Sequence, residues 1–217
     1  MRVLITGAAK RIGRMLAKEL AQRGHKIAIH YNSSDIEAMK LLSELGGAEA
    51  GHIVIKCDLN NLDEASRLIP ELRSWGKPAI LINNASTYFR RGMENYSNED
   101  LLSDYTVNFF SPLILMREFK KQCGFGTIIN FLDRRVDLVE PEAGPYAFAK
   151  KSLRDATEAC AQGWATKVRV NAIAPGPVLL PEEDYNSASE AELLDKICQT
   201  VIRFTETDVN GEICIID

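Results

Sequence analysis

Short, unbroken apolar runs alternate with amphipathic segments along almost the whole chain, and that alternation limits the folds open to it more than any other feature. The runs lie at 3–6, 26–30, 52–56, 79–83, 127–132, 168–173 and 212–216. Between them, 11–23, 35–45, 62–75, 98–122, the segment around 146–162 and part of 190–204 read as helices, with apolar spacing such as Ile12, Met15, Leu16 and Leu20. A strand with one wet face would alternate apolar and polar residues. These runs do not, so both faces of the sheet must be covered. Helices crossing from strand to strand provide that cover, which predicts a doubly wound α/β fold with a parallel sheet of about seven strands. The sequence shows no internal repeat, low-complexity stretch or linker, so a single domain over 1–217 is expected.

Composition narrows the function classes. A net charge of −4, with no clustered basic excess, argues against a nucleic-acid partner. Cys57, Cys123, Cys160, Cys198 and Cys214 lack any CxxC or Cys/His spacing, which predicts reduced thiols and no metal site. No apolar run reaches membrane-spanning length, and the start "MRVLITGAA" is too short for a signal peptide before its glycine turn. The expectation is a soluble, cytoplasmic protein that acts on a small molecule and has no membrane partner.

In such folds ligands bind beyond the carboxyl ends of the strands. The first strand ends in "TGAAKRIG", where Gly7 permits a tight turn and Gly13 lets the helix start pack close to the sheet. Free N–H groups at that helix N-terminus suit a pyrophosphate. Arg11 stands where a middle glycine is usual, and either reaches a phosphate or an anionic substrate edge or is a solvated first-turn arginine. The second strand ends in "HYNSSD": His30, Asn32, Ser33 and Ser34 precede any acid, which favours a 2′-phosphate and hence NADP over NAD. Asp58 in "CDLN" is placed to accept from an adenine amino group, and Asn83 and Asn84 lie at the rim after the fourth strand. Asn108 falls within a helix, where asparagine is a mediocre former. Tyr146 and Lys150, one turn apart, share a helix face, and a lysine so placed lowers the pKa of a phenol. The strand "TIINFL" ends in Asp133 followed by Arg134 and Arg135.

In this order, these residues resemble the short-chain dehydrogenase/reductase family, with matching motifs from Thr6 to Gly176 and a weaker match at "VNGEICIID". The resemblance implies a Rossmann fold that binds NADPH, with Tyr146 as the acid/base, Lys150 lowering its pKa and holding the nicotinamide ribose, and Asn108 organising a proton-relay water. It implies further cofactor contacts at Ile12, Tyr31, Leu59, Asn84, Ala85 and Ser86, and at Pro175, Gly176 and Val178 of "NAIAPGPV" beside the nicotinamide. Most of the family carries a serine at the place of Asp133. A carboxylate donates no hydrogen bond to a carbonyl unless protonated, so the swap suits a substrate offering N–H groups, such as the amino-pyrimidine edge of a pterin.

The sequence is thereby similar to the pteridine reductase and dihydromonapterin reductase branch, which combines TGxxxRxG, "HY" after strand two, NNAS and this aspartate. By that similarity Arg11 and Ser86 contact phosphates or the pterin, and Tyr88 stacks the pterin against the nicotinamide. The alternative for Asp133 is a surface carboxylate paired with Arg134 or Arg135. The stretch between Gly176 and Asn210 is shorter than the family's usual one, so a reduced substrate lid is expected, of which "LPEEDYNSASEAE" is the remnant. The function expected is NADPH-dependent reduction of a dihydropterin. The alternatives are an NADP-dependent carbonyl reductase and a non-catalytic NADP-binding regulatory protein. Family resemblance also implies a homo-oligomer, a tetramer or dimer.

Overall fold

The computed structural model describes residues 1–90, 92–176 and 188–216. Seven strands form one parallel sheet: β1 (Arg2–Ile5), β2 (Lys26–Tyr31), β3 (Ile53–Lys56), β4 (Ile80–Asn83), β5 (Gly126–Phe131), β6 (Val168–Pro175) and β7 (Ile213–Ile216), in the order β3-β2-β1-β4-β5-β6-β7. The helices are α1 (Arg11–Gln22), α2 (Asp35–Glu44), α3 (Leu62–Glu71), α4 (Asn98–Tyr105), α5 (Ser111–Gln122), α6 (Gly144–Trp164) and α7 (Ala188–Glu206).

Successive strand side chains point to opposite faces, and here both directions end in apolar packing. Val3 and Ile5 join a core with Leu16 and Leu20 of α1, Leu41 of α2 and Val201 of α7. Leu4, between them, joins the opposite core with Leu68 of α3, Phe119 of α5 and Leu153 of α6. Each such fully buried side chain contributes about 1.5–3 kcal/mol, and the double cover explains why the strands read as unbroken apolar runs.

The expected helix over 98–122 is interrupted. Ser97 and Asp100 form a capping box that starts α4, but residues Thr106–Phe110 make a π-helical turn before α5 begins. Two chemical causes coincide there. The Asn108 side-chain amide donates to the Asp104 carbonyl at 3.0 Å, competing for a ladder acceptor. Pro112, at the start of α5, has no N–H to offer the preceding turn. Such bulges cluster at functional sites because they re-aim a side chain.

The chain order reverses direction across the sheet between β1 and β4, which leaves a crevice at their carboxyl ends. Its floor is tied together. Thr6 Oγ accepts from the backbone N–H groups of Asn84 and Ala85, both at 3.0 Å, and Asn84 Nδ2 donates to the Thr6 carbonyl at 2.9 Å. Among the described residues no helix is long and apolar enough to cross a membrane, and no group of His, Cys, Asp or Glu could hold a metal ion.

Candidate active site

The β1–α1 turn builds one end of the crevice. Gly7 has φ +62°, a region that favours glycine, and a Cβ on Gly13 would stand 2.3 Å from the Gly7 carbonyl oxygen and 2.7 Å from Asn84 Nδ2. Helix α1 has no side-chain cap and no acidic residue in its first turn, so its N-terminal dipole meets the crevice without a competing carboxylate. Backbone this close, with an uncapped helix start above it, fits a dinucleotide pyrophosphate. Arg11 also adopts a left-handed conformation, φ +52°, which is costly for a side chain of its size. It lines the cleft with Ile12 and Gly13.

The end of β2 corrects one expectation. His30 is buried, and both ring nitrogens are engaged: Nδ1 accepts from the Gly7 N–H at 3.0 Å and Nε2 meets the Cys57 carbonyl at 3.1 Å. One partner only donates and the other only accepts, so the geometry requires the neutral Nε2–H tautomer. Burial pushes the imidazole pKa down to about 4. His30 is therefore a strut joining the glycine turn to β3, and it is not presented to a 2′-phosphate. Asn32 and Ser33 are exposed there instead, with Asn32 Nδ2 donating to Asp58 Oδ1 at 3.1 Å. The first acids of α2 are paired with cations, Asp35 with Lys56 at 3.1 Å and Glu37 with Lys10 at 2.8 Å. Tyr31 is half-buried, Ser34 partly exposed and Leu59 buried.

The other end of the crevice carries the titratable groups. β5 delivers its last residues to the rim, and Asp133 caps the short 3-10 turn Arg134–Asp137 by accepting from the Arg135 N–H at 2.9 Å. Its second oxygen accepts from the Tyr146 hydroxyl at 2.9 Å and from Arg135 Nη1 at 2.8 Å. Asp133 thus pairs with Arg135, as the alternative expected, but it is buried in the cleft and bonded to the tyrosine instead of lying at the surface. Lys150, fully inside, donates from Nζ to the Phe131 carbonyl at 2.8 Å.

In this arrangement the net shift of the phenol is upward, against the lowering expected from Lys150. Burial raises the Tyr146 pKa well above its ordinary value, and the charge and hydrogen bond of Asp133 raise it further. Lys150 is itself pulled down to about 8 by burial, with the Asp133 charge opposing. The phenol is consequently neutral, and a donor, throughout the ordinary pH range.

Asn108, turned inward by the π-helical turn, is fully buried, and its amide donates to the carbonyls of Thr87 and Asp104, each at 3.0 Å. Its Oδ1 accepts from Ser86 Oγ at 2.7 Å, which links it to the loop after β4. Tyr88 of that loop packs on Tyr146 with ring centroids 4.7 Å apart.

One cleft of about 490 Å³ brings together Gly7, Arg11, Ile12, Gly13, Asn84, Ala85, Ser86, Tyr88, Asp133, Tyr146, Lys150, Pro175 and Gly176. Of the residues expected at the site, Tyr31, Asn32, Ser33, Ser34, Asp58 and Leu59 lie around the far ends of β2 and β3, while Asn108 sits behind Ser86. Val178, and most of the expected lid, fall outside the described residues. The cleft also contains Arg135, whose place there the sequence does not announce. The only signal was its place two residues after a carboxylate at a strand end.

Comparison with known proteins agrees with this picture. The family model for short chain dehydrogenases matches residues 1–190. A hydroxynaphthalene reductase-like protein Arp2 from Metarhizium acridum (strain CQMa 102) is 30% identical over 188 residues, covering 85% of this chain and 70% of that protein. The crystal structure of FolM alternative dihydrofolate reductase 1 from Brucella suis, in complex with NADP, superposes with a TM-score of 0.87 at 29% identity, covering all of this chain and 93% of the other. A gluconate 5-dehydrogenase from Burkholderia cenocepacia J2315 shares the fold at a TM-score of 0.85 and 24% identity, covering 100% of this chain and 93% of that one.

Proposed function

The chain belongs to the short chain dehydrogenase family of oxidoreductases, and within that family we propose that it is an NADPH-dependent reductase of a dihydropterin-type substrate. NADPH bound in the cleft supplies a hydride to a ring C=N carbon. The proton comes from this chain: Tyr146 is neutral in the resting site and holds its hydrogen toward Asp133 at 2.9 Å. The bond to Asp133 is the observation that carries the reading. An ionised carboxylate accepts and does not donate, so the place where a ketone reductase needs a donor is here an acceptor. A substrate edge bearing N–H groups satisfies it, whereas a bare carbonyl oxygen is repelled.

Supporting the choice of NADP are the exposed Asn32 and Ser33 after β2, the pairing of Asp35 and Glu37 with lysines, and the NADP held by the Brucella suis relative. Lys150 holds the nicotinamide ribose, Asn108 supports Ser86 at the substrate edge, and Tyr88 offers a flat ring for stacking. Assembly into a homotetramer or dimer belongs to the same proposal, supported by the exposed Leu102, Phe110 and Phe148 on the α4–α6 side.

NADPH consumption with dihydrobiopterin, dihydrofolate and a panel of ketones tests the proposal. Turnover of the dihydropterins is expected. Turnover of ketones alone would establish the carbonyl reductase reading, which the hydroxynaphthalene reductase-like relative favours. Binding of NADPH without turnover of any of them would establish a regulatory role.

A further inference from the structure

The guanidinium of Arg135 is held on three sides. It lies 5.0 Å over the Tyr88 ring, donates through Nη1 to Asp133 at 2.8 Å, and donates through Nε to Glu140. Its side chain is only 17% exposed and lines the cleft beside Tyr146 and Lys150. A guanidinium carries five N–H donors in a rigid plane and no acceptor. The bonds to Asp133 and Glu140 leave the second N–H of Nη1 and both of Nη2 uncommitted, and among the described residues nothing accepts from them.

Asp133 has the complementary vacancy. Its Oδ2 accepts from both Arg135 and Tyr146, while Oδ1 accepts only from the Arg135 backbone N–H. A carboxylate has about four acceptor positions, so Oδ1 retains one. Both residues line the cleft, so an unused acceptor and unused, fixed donors belong to adjoining side chains there. Because Asp133 and Glu140 already balance the positive charge of Arg135, the guanidinium serves as a donor array for a neutral group and not as an anion site.

We propose that Arg135 is a specificity-determining residue: together with Asp133 it reads a ring edge that carries an oxygen acceptor beside an N–H donor, as in a 2-amino-4-oxopyrimidine. An edge with an amino group in place of that oxygen sets donor against donor at Arg135, and neither group is then hydrogen-bonded. The inference rests on the dihydropterin reading of the site and adds the oxygen as a requirement.

The test uses the protein saturated with NADP⁺ and two probes, a 2-amino-4-oxopteridine and the matched 2,4-diaminopteridine. Dissociation constants are measured for both with the native protein, Arg135→Met and Arg135→Lys. The quantity read is the oxo-over-diamino affinity ratio, which a general loosening of the loop leaves unchanged. It should fall about tenfold or more in Arg135→Met, the loss of one buried hydrogen bond. In Arg135→Lys, which keeps a cation but loses the fork, it should fall about threefold, and this variant decides the matter if the methionine protein does not fold. Binding of both probes with an unchanged ratio in the variants would overturn the role of Arg135 and leave the dihydropterin reading standing. Binding of neither probe by the native protein would overturn both.

Discussion

The His30 strut makes acid stability a direct probe of the glycine turn. The imidazole is 2% exposed, accepts from Gly7 and donates to the Cys57 carbonyl, and its pKa falls from 6.5 to about 4 through burial. Protonation would place a second N–H against that of Gly7. Because the folded pKa lies below the unfolded one, the contribution is complete above about pH 6.5 and is lost as the pH falls through about 4. The gap, at roughly 1.4 kcal/mol per pH unit, gives about 3 kcal/mol in all, of which about 2–3 kcal/mol is gone by about pH 4.5. Urea unfolding of the native protein and of His30→Gln, each at about pH 7 and pH 4.5, measures this. The variant should be less stable at pH 7 by about 1–3 kcal/mol, from poorly satisfied Gly7 and Cys57 backbone groups. It should also lose about 2–3 kcal/mol less than the native protein on acidification, since it lacks the titrating group. His25 and His52, whose pKa values are also lowered by burial, act alike in both proteins and cancel. An equal loss in the two proteins would mean that the acid sensitivity arises elsewhere and that His30 is not the titrating strut.

Gly13→Ala puts a methyl within 2.3 Å of the Gly7 carbonyl and should cost about 1–3 kcal/mol in denaturant stability while weakening NADPH binding, read by fluorescence titration. Tyr146→Phe removes the donor to Asp133 and should lower kcat by about 10²–10⁴ with NADPH affinity retained, as stopped-flow and binding measurements would show. Asn108→Ala leaves the Thr87 and Asp104 carbonyls and the Ser86 hydroxyl short of a partner, so the midpoint of urea unfolding should drop by the equivalent of about 2 kcal/mol or more.

The strands and helices were legible because burial on both faces writes itself into unbroken apolar runs, and the cleft followed from the position of strand ends. What escaped the sequence depended on side chains meeting backbone. The interruption at Thr106–Phe110 needs Asn108 to reach the Asp104 carbonyl, a bond that helical spacing does not announce. His30 closes a strand, which points to the rim, but a sheet covered on both sides gives no periodic cue to separate an inward ring from an exposed one. Arg135 enters the cleft only because the turn capped by Asp133 folds it back over Tyr88. Asp133 itself was legible as a departure from the family's serine, and its bond to Tyr146 needed the fold.

In the proposed reductase, Asp133 presents an acceptor where a carbonyl reductase presents a donor. Serine is also a good cap for the turn that Asp133 starts, so Asp133→Ser keeps that cap while removing the carboxylate that Arg135 and Tyr146 share. The measurement is kcat/KM of native and Asp133→Ser proteins for a dihydropterin and for a ketone, with NADPH. Losing a charge-assisted hydrogen bond of about 1.5–3 kcal/mol should lower the dihydropterin value by roughly 10–100-fold, while the ketone value rises. Dihydropterin turnover that survives the substitution unchanged would contradict the account.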